Sequence, residues 1–198
     1  ASRSRGGEDL LAAFTDGAVA ALSPADGRIY WETETALDVE RRPGNVPQFL
    51  DVDTTPVFIR GTMYIASFTA GLYALNPTNG SVEWRDATFQ GVTGLAAAGR
   101  MLVISSARRG ISLMDLRTRE VMWEKAPERG APTSPIVTET GTVLYGETQG
   151  SLLALSLSNG REIARAEGGA GFSAIPSVRG PFGGAISNGG RFLFLRIN

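Results

Sequence analysis

The chain of 198 residues contains no Cys and no His. Without His there is no imidazole base, no Ser-His-Asp or Cys-His nucleophile pair, and no His-ligated zinc, haem or copper. Without Cys there is no disulfide framework, thiolate nucleophile, Fe–S cluster or lipid attachment on this stretch. Charge of one sign is also missing. Nineteen Lys and Arg against 20 Asp and Glu leave a net charge of −1, which gives no electrostatic footprint for nucleic acid or an anionic membrane. With 42% hydrophobic residues the chain can build a core. Glycine alone is in excess, 25 residues, nearly twice the roughly 7% of an average domain. The glycines are spaced, which favours a fold with many turns over low complexity.

Self-similarity explains the spacing. Segments 17–31, 70–84, 109–123 and 150–164 align without internal gaps, and every Trp of the chain (Trp31, Trp84, Trp123) falls in one slot, filled by Ala164 in the fourth copy. A small-residue slot holds Ala21, Ala74, Leu113 and Ala154, at steps of 53, 39 and 41 residues. A fifth, partial copy begins at Asn188-Gly189 and sets Leu193 in that slot. The long first step is a normal period plus an insertion.

Each unit reads as strands. Thr62–Phe68, Leu72–Leu75 and Ser81–Trp84 are short and bounded by Gly, Asn, Pro and Thr. Asp26-Gly27, Asn79-Gly80 and Asn159-Gly160 suit hairpin turns that need positive φ. A further strand is announced by Thr55-Pro56, Ser134-Pro135 and Ile175-Pro176, and Leu95–Ala98 reads as the first strand of the third unit. Four antiparallel strands in about 40 residues make one blade of a β-propeller. The expected fold is therefore all-β, a single partial propeller domain over 1–198, with blades near 9–35, 51–87, 88–127, 131–167 and 172–198 and an insertion loop at 36–50. The recurrent Trp and Gly are read as structural, packing one blade on the next and closing hairpins.

The two ends carry a second expectation. Asp9–Phe14 corresponds to the second strand of a blade and Arg191–Leu195 to a third strand, giving about four and a half blades. A propeller must close, since open edges expose unpaired backbone. The chain is therefore expected to be part of a larger ring, its last blade completed by a strand from the N-terminal segment of the full protein.

The unit Ala-Leu-x-x-x-x-Gly-x-x-x-Trp resembles the blade repeat shared by pyrroloquinoline-quinone (PQQ) dehydrogenases and their cofactor-free relatives. Leu50-Asp-Val-Asp-Thr-Thr-Pro-Val57, followed by Gly61, Tyr64, Ala66, Gly71, Ala74-Leu75, Gly80 and Trp84, is similar to a segment of the BamB family, outer-membrane lipoproteins of the β-barrel assembly machinery. The resemblance runs over essentially the whole chain. It implies the C-terminal half of an eight-bladed ring on the periplasmic side of the outer membrane of a Gram-negative bacterium, with a lipid anchor on the N-terminal part. It also implies that Asp51 and Asp53 dock onto the polypeptide-transport-associated (POTRA) domains of the barrel-inserting subunit. The family's other contact, a Leu-x-Leu-Arg-Gly segment, is not reproduced by Arg3-Ser-Arg5-Gly6 at the right distance from Asp16-Gly17, so nothing is carried over there.

From the residues themselves two readings of this stretch stand. In an extended chain Asp51 and Asp53 point to one side, and two like charges so placed favour a cationic partner or solvent. Alternatively, Asp53 accepts N–H bonds from Thr54 or Thr55 and shapes the turn into Pro56. In the adjoining insertion, Phe49 and Leu50 are either a hydrophobic anchor for a partner or a tuck onto the propeller rim.

Quinoprotein chemistry would need a stacked quinone, a bound cation held by carboxylates and amides, and an Asp base. The inner strands offer Leu, Ala, Tyr and Phe instead, and the carboxylates are scattered singly. Arg108-Arg109 with Arg117 and Arg119, interleaved with Asp115 and Glu120, reads as a solvated surface rather than a nucleic-acid site. The expectation is a non-catalytic scaffold without cofactor, metal or small-molecule substrate. It would bind the barrel-inserting subunit through Phe49, Leu50, Asp51 and Asp53 and guide unfolded outer-membrane proteins by strand addition. The alternatives are a fragment of a PQQ-dependent dehydrogenase and a generic protein-interaction propeller.

Overall fold

A computed structural model describes residues 9–14, 16–35, 52 and 54–197. All regular structure among them is β. The first sheet has three strands, β1 (Leu10–Ala13), β2 (Ala18–Leu22) and β3 (Ile29–Glu34). Three four-stranded sheets follow: β4 (Val57–Ile59), β5 (Thr62–Ser67), β6 (Gly71–Leu75), β7 (Val82–Asp86); β8 (Val92–Ala98), β9 (Met101–Ser106), β10 (Gly110–Asp115), β11 (Glu120–Lys125); and β12 (Ile136–Val137), β13 (Thr142–Gly146), β14 (Leu152–Ser156), β15 (Glu162–Ala166). The last sheet is β16 (Ser177–Arg179), β17 (Phe182–Ile186) and β18 (Phe192–Arg196). Each is an antiparallel meander with its strands in chain order, as the expected blades require.

The sheets stack face to face, and the apolar clusters lie between them. Val19, Ala21 and Trp31 of the first sheet meet Met63, Ile65, Tyr73 and Leu75 of the second. The second sheet's other face, with Tyr64, Ala66, Leu72 and Ala74, meets Leu102, Ile104 and Met114 of the third. Val103, Ile111 and Leu113 meet Val143, Tyr145 and Leu153, and Leu144 and Leu152 meet Phe172 and Ala185. Strand alternation produces this arrangement, because an inner strand apolar on every residue serves two neighbours at once.

The repeat slots have a geometric meaning. Ala21 pairs with Trp31, Ala74 with Trp84, Leu113 with Trp123 and Ala154 with Ala164, and in all four sheets the register slips by one residue immediately afterwards. The bulge bends the outer strand and leans its Trp towards the next sheet. Trp31 Nε1 donates to the Pro77 carbonyl at 2.9 Å, and Trp123 Nε1 to the Leu157 carbonyl at 2.8 Å. Each indole thus covers the turn between the third and fourth strands of the following sheet. That turn holds four residues, longer than the two-residue hairpin that Asn-Gly suggests, and its glycine has positive φ: +70° at Gly27, +71° at Gly80 and +69° at Gly160. A methyl on Gly80 would fall inside the Trp31 ring, and one on Gly160 inside Trp123.

The third sheet breaks the rule. Arg119 occupies the glycine position with φ +61°, keeping the turn bond from its N–H to the Asp115 carbonyl at 2.7 Å, as Gly80 does to Asn76 at 2.8 Å. Its guanidinium lies 5.2 Å over the Trp84 ring, so a cation–π contact stands where the Trp31 and Trp123 seams use an indole N–H.

The fifth copy requires a correction. Leu193 pairs with Ala185 and packs back onto the fourth sheet, whereas Phe194, paired with Gly184, takes the place that Ala154 has opposite Leu144. The step is therefore 40 residues, and a one-residue slip moves a side chain to the other face of the sheet. Phe194 is 69% exposed.

These seams predict opposite outcomes at one repeat position. Gly80→Ala meets both positive φ and the Trp31 ring, and should cost about 2–4 kcal/mol. Arg119→Gly relieves backbone strain of about 1 kcal/mol while losing a cation–π contact of similar size, and should stay within about 1 kcal/mol of the parent. Urea unfolding followed by Trp fluorescence distinguishes the two; a larger loss for Arg119→Gly would overturn this account.

Candidate docking face

In a meander, the turn between second and third strands and the link to the next sheet lie at the same end. Five hairpins and the links between sheets therefore share one face. Backbone bonds join them: Gly91 N to Phe68 O at 2.7 Å, Thr148 N to Ala131 O at 2.9 Å and Asn188 N to Gly171 O at 2.8 Å.

Asp51, Asp53, Phe49 and Leu50, the sequence-derived contact residues, lie outside the described residues, as does the insertion loop 36–50. Both of its flanks are described, and both are anchored on this face. Thr35 donates from its N–H and its hydroxyl to the Gly17 carbonyl, at 3.0 and 2.7 Å, and its own carbonyl accepts from the Tyr73 hydroxyl. On the other side Val52 is buried against Tyr73 and Leu75. The Thr54 hydroxyl accepts from Ala66 N at 2.9 Å, closing the inner end of the second sheet. Thr133 does the same for Gly146 N at 3.0 Å. In the third sheet Thr93 instead bridges to the Pro132 carbonyl of the next link at 2.7 Å.

The side chain that opens each hairpin also repeats. Ser67 accepts from Ala70 N, Ser106 from Arg108 N and Arg109 N, and Ser187 from Arg191 N. At the same place Glu147, 1% exposed, accepts from Glu128 N at 2.8 Å and Arg129 N at 2.9 Å. Two peptide N–H donors satisfy this buried carboxylate, and they fasten the link between the third and fourth sheets. Sequence reasoning missed Glu147, which reads as a solvated turn residue in Gly-Glu-Thr-Gln-Gly. It missed the threonines too, although Thr54-Thr55-Pro56 and Thr133-Ser134-Pro135 align.

Guanidinium groups lie along the same face. Arg109 is 4.4 Å from the Phe89 ring centre and pairs with Glu124; Arg85 donates to the Ala70 carbonyl over Tyr73. Between the third and fourth sheets Lys125, Glu128, Glu162 and Arg165 form a closed ring of four ion pairs at 2.8–3.5 Å. The Lys125 hydrogen bond, then that of Arg165, holds the Glu128 carboxyl below the usual carboxylate range, and Arg165 does the same for Glu162. The Glu128 carboxylate in turn holds the Lys125 ammonium above its ordinary value. Among the described residues no group of three or more Asp or Glu gathers where a metal ion could be held.

Stacked four-stranded meanders whose outer-strand Trp seals the next sheet define a β-propeller of the PQQ-like repeat type. Solved structures agree on the fold: the computationally designed Ika8 protein (TM-score 0.77, 12% identity, 98% of this chain and 57% of that one) and BamB from Moraxella catarrhalis (TM-score 0.73, 22% identity, 96% and 56%). The family profile described as outer membrane protein assembly factor BamB matches residues 1–125, and the chain belongs to that family. Curated relatives carrying that same description include proteins from Legionella pneumophila (23% identity, 96% of this chain and 48% of the relative), Kangiella koreensis (26%, 79% and 39%) and Xanthomonas campestris (31%, 77% and 37%). The chain spans about half the length, or less, of these relatives.

The four-charge ring predicts a pH dependence. Carboxylates depressed in the folded state contribute stability that is present above their unfolded value of about 4.3 and is lost as pH falls through the folded one. Arg165→Met should therefore flatten the fall in urea midpoint between about pH 5 and pH 3, and high salt should mimic part of that change. An acid limb as steep as the parent's would overturn the role given to the ring.

Proposed function

We propose that this chain is part of a non-catalytic scaffold for outer-membrane protein assembly. It docks on the periplasmic POTRA domains of the barrel-inserting subunit and works on the periplasmic side of a Gram-negative outer membrane, in a protein anchored there by lipid. Membership of the assembly-factor family carries this reading. Phe49, Leu50, Asp51 and Asp53 form the contact. Support for Asp51 and Asp53 comes from the residues beside them: Val52 and Thr54 are buried, and successive residues of an extended chain face opposite sides. The scaffold's task is to hold that segment on a rigid stack of sheets, so that little ordering entropy is lost on binding.

Guidance of unfolded outer-membrane proteins belongs to the same reading, with one restriction. Bulges interrupt the pairing of β3, β7, β11 and β15, and a bulged outer edge is a poor template for strand addition.

Asp51→Arg with Asp53→Arg should weaken binding to the purified POTRA domains by about 2 kcal/mol or more and leave the unfolding midpoint unchanged. Undiminished binding in a pull-down would sink the assignment. The dehydrogenase alternative is checked by calorimetric and absorbance titration with PQQ and Ca²⁺: no saturable binding is expected, and saturation would overturn the non-catalytic reading.

A further inference from the structure

On the third- and fourth-sheet part of the docking face most charges are neutralised within the molecule. Arg109 is paired with Glu124, and Lys125, Glu128, Glu162 and Arg165 pair with one another. Glu147 is buried under two peptide N–H donors, and Glu167 accepts from the Ser151 hydroxyl at 2.8 Å. Two exposed arginines stand apart. Arg108, at the tip of the third hairpin, donates to the neutral Gln90 side chain at 2.7 Å. Arg129 lies on the link that follows the third sheet, and among the described residues neither guanidinium has a carboxylate within ion-pair distance. The hairpin itself does not call for a cation: the same tip position holds Asp16, Thr69, Gln149 and Gly189 in the other copies.

Both arginines rise from backbone that a buried oxygen holds. Ser106, 1% exposed, accepts from Arg108 N at 3.1 Å and from Arg109 N at 3.2 Å. Glu147, equally buried, accepts from Arg129 N at 2.9 Å. The fourth hairpin thus buries a carboxylate where Ser67, Ser106 and Ser187 bury a hydroxyl. A carboxylate costs more to desolvate, and here its two oxygens fix the link at residues 128 and 129. The link also touches the third hairpin, since a methyl on Gly110 would meet the Lys125 carbonyl and Pro127 N. Arg108 and Arg129 are therefore carried by adjoining segments of fixed path, and little backbone ordering is lost when they are engaged.

The far end of the same face indicates which anion fits. Asp16 and Glu34 stand there, both exposed, with no basic residue in 14–18. A uniformly anionic surface, such as a lipid leaflet or a nucleic acid, would be attracted at one end and repelled at the other. A folded protein can carry both signs, and its carboxylates are the bidentate partners of guanidinium forks. We propose that Arg108 and Arg129 form a cationic contact on the docking face, engaged by Asp or Glu side chains of a folded protein partner. With acids at one end of the face and these arginines at the other, the contact fixes which way round the partner lies. The proposal rests on the docking reading above and names a separate part of that surface, carried by the third and fourth sheets, each packed between two others.

Arg108→Glu with Arg129→Glu reverses both charges and keeps the backbone N–H groups that Ser106 and Glu147 hold. Binding of the 198-residue chain to the purified POTRA domains is followed by biolayer interferometry at low and high salt. The charge-retaining pair Arg108→Lys, Arg129→Lys and the pair Asp51→Arg, Asp53→Arg run beside it, with an unfolding midpoint for each. The charge-reversed pair should associate about tenfold more slowly or worse at low salt, with a flatter salt dependence and the parent's midpoint. The charge-retaining pair should keep most of the parent's association rate. A parental rate for the charge-reversed pair, beside crippled binding by Asp51→Arg, Asp53→Arg, would overturn the contact and leave the docking reading standing. A lowered midpoint for the charge-reversed pair would assign the two arginines to folding and overturn the contact equally. Parental binding by every variant, or none by the parent, would remove the docking reading and the contact together.

Discussion

Everything in this fold depends on the seam between consecutive sheets. Each four-stranded sheet is apolar on both faces of its inner strands, so none buries its core alone, and the chain gains stability by stacking sheets. Apolar stacking by itself is non-directional; it does not set the angle at which one sheet meets the next. The indole supplies direction. A bulge after the small-residue slot tilts the outer strand, the Trp reaches over the seam, and its N–H finds one carbonyl in the facing turn. Glycine is required there for two reasons that coincide, a positive φ and the absence of a Cβ under the ring.

The seam also explains why the links and hairpins gather on one face of the stack. Outer strands and their turns are occupied by the Trp contacts, while the opposite end carries the links and the hairpins that receive them. There the hydrogen bonds run between backbone and short side chains, from Thr35, Thr54, Thr133 and Glu147. Such bonds fix the path of a link without dictating the length of what lies between its anchors. A long insertion between Thr35 and Val52 therefore leaves the stacking undisturbed, because loop length adds only slowly to the entropy of closure.

Much of this was legible in the sequence because a repeat states its own rules several times. The Trp slot, the positive-φ glycines, the Pro-led inner strands and the Leu95–Ala98 strand all follow from period and turn chemistry, and the structure has them where the period puts them. What escaped was whatever a single residue type conceals. Leu193 and Phe194 are adjacent and both apolar, so the pattern could not say which faced back, and a period of 39 chose the wrong one. Glu147 looks like a surface acid because its donors come from a link 18 and 19 residues earlier in the chain. For Arg119 a signal existed: alignment sets it opposite Gly27, Gly80 and Gly160, and a bulky residue at a glycine position is an anomaly. Of the candidate contact residues, 49–51 and 53 lie outside the described part, and only their anchors are seen.

Arg119 shows how a repeat can change a residue and still keep its seam. It replaces a glycine that the other copies use for its positive φ. Arg119 compensates within the fold, because its guanidinium covers the very Trp that the glycine would have admitted, so the seam is kept and no partner is needed to explain it. A change whose cost is recovered locally is a variation in packing.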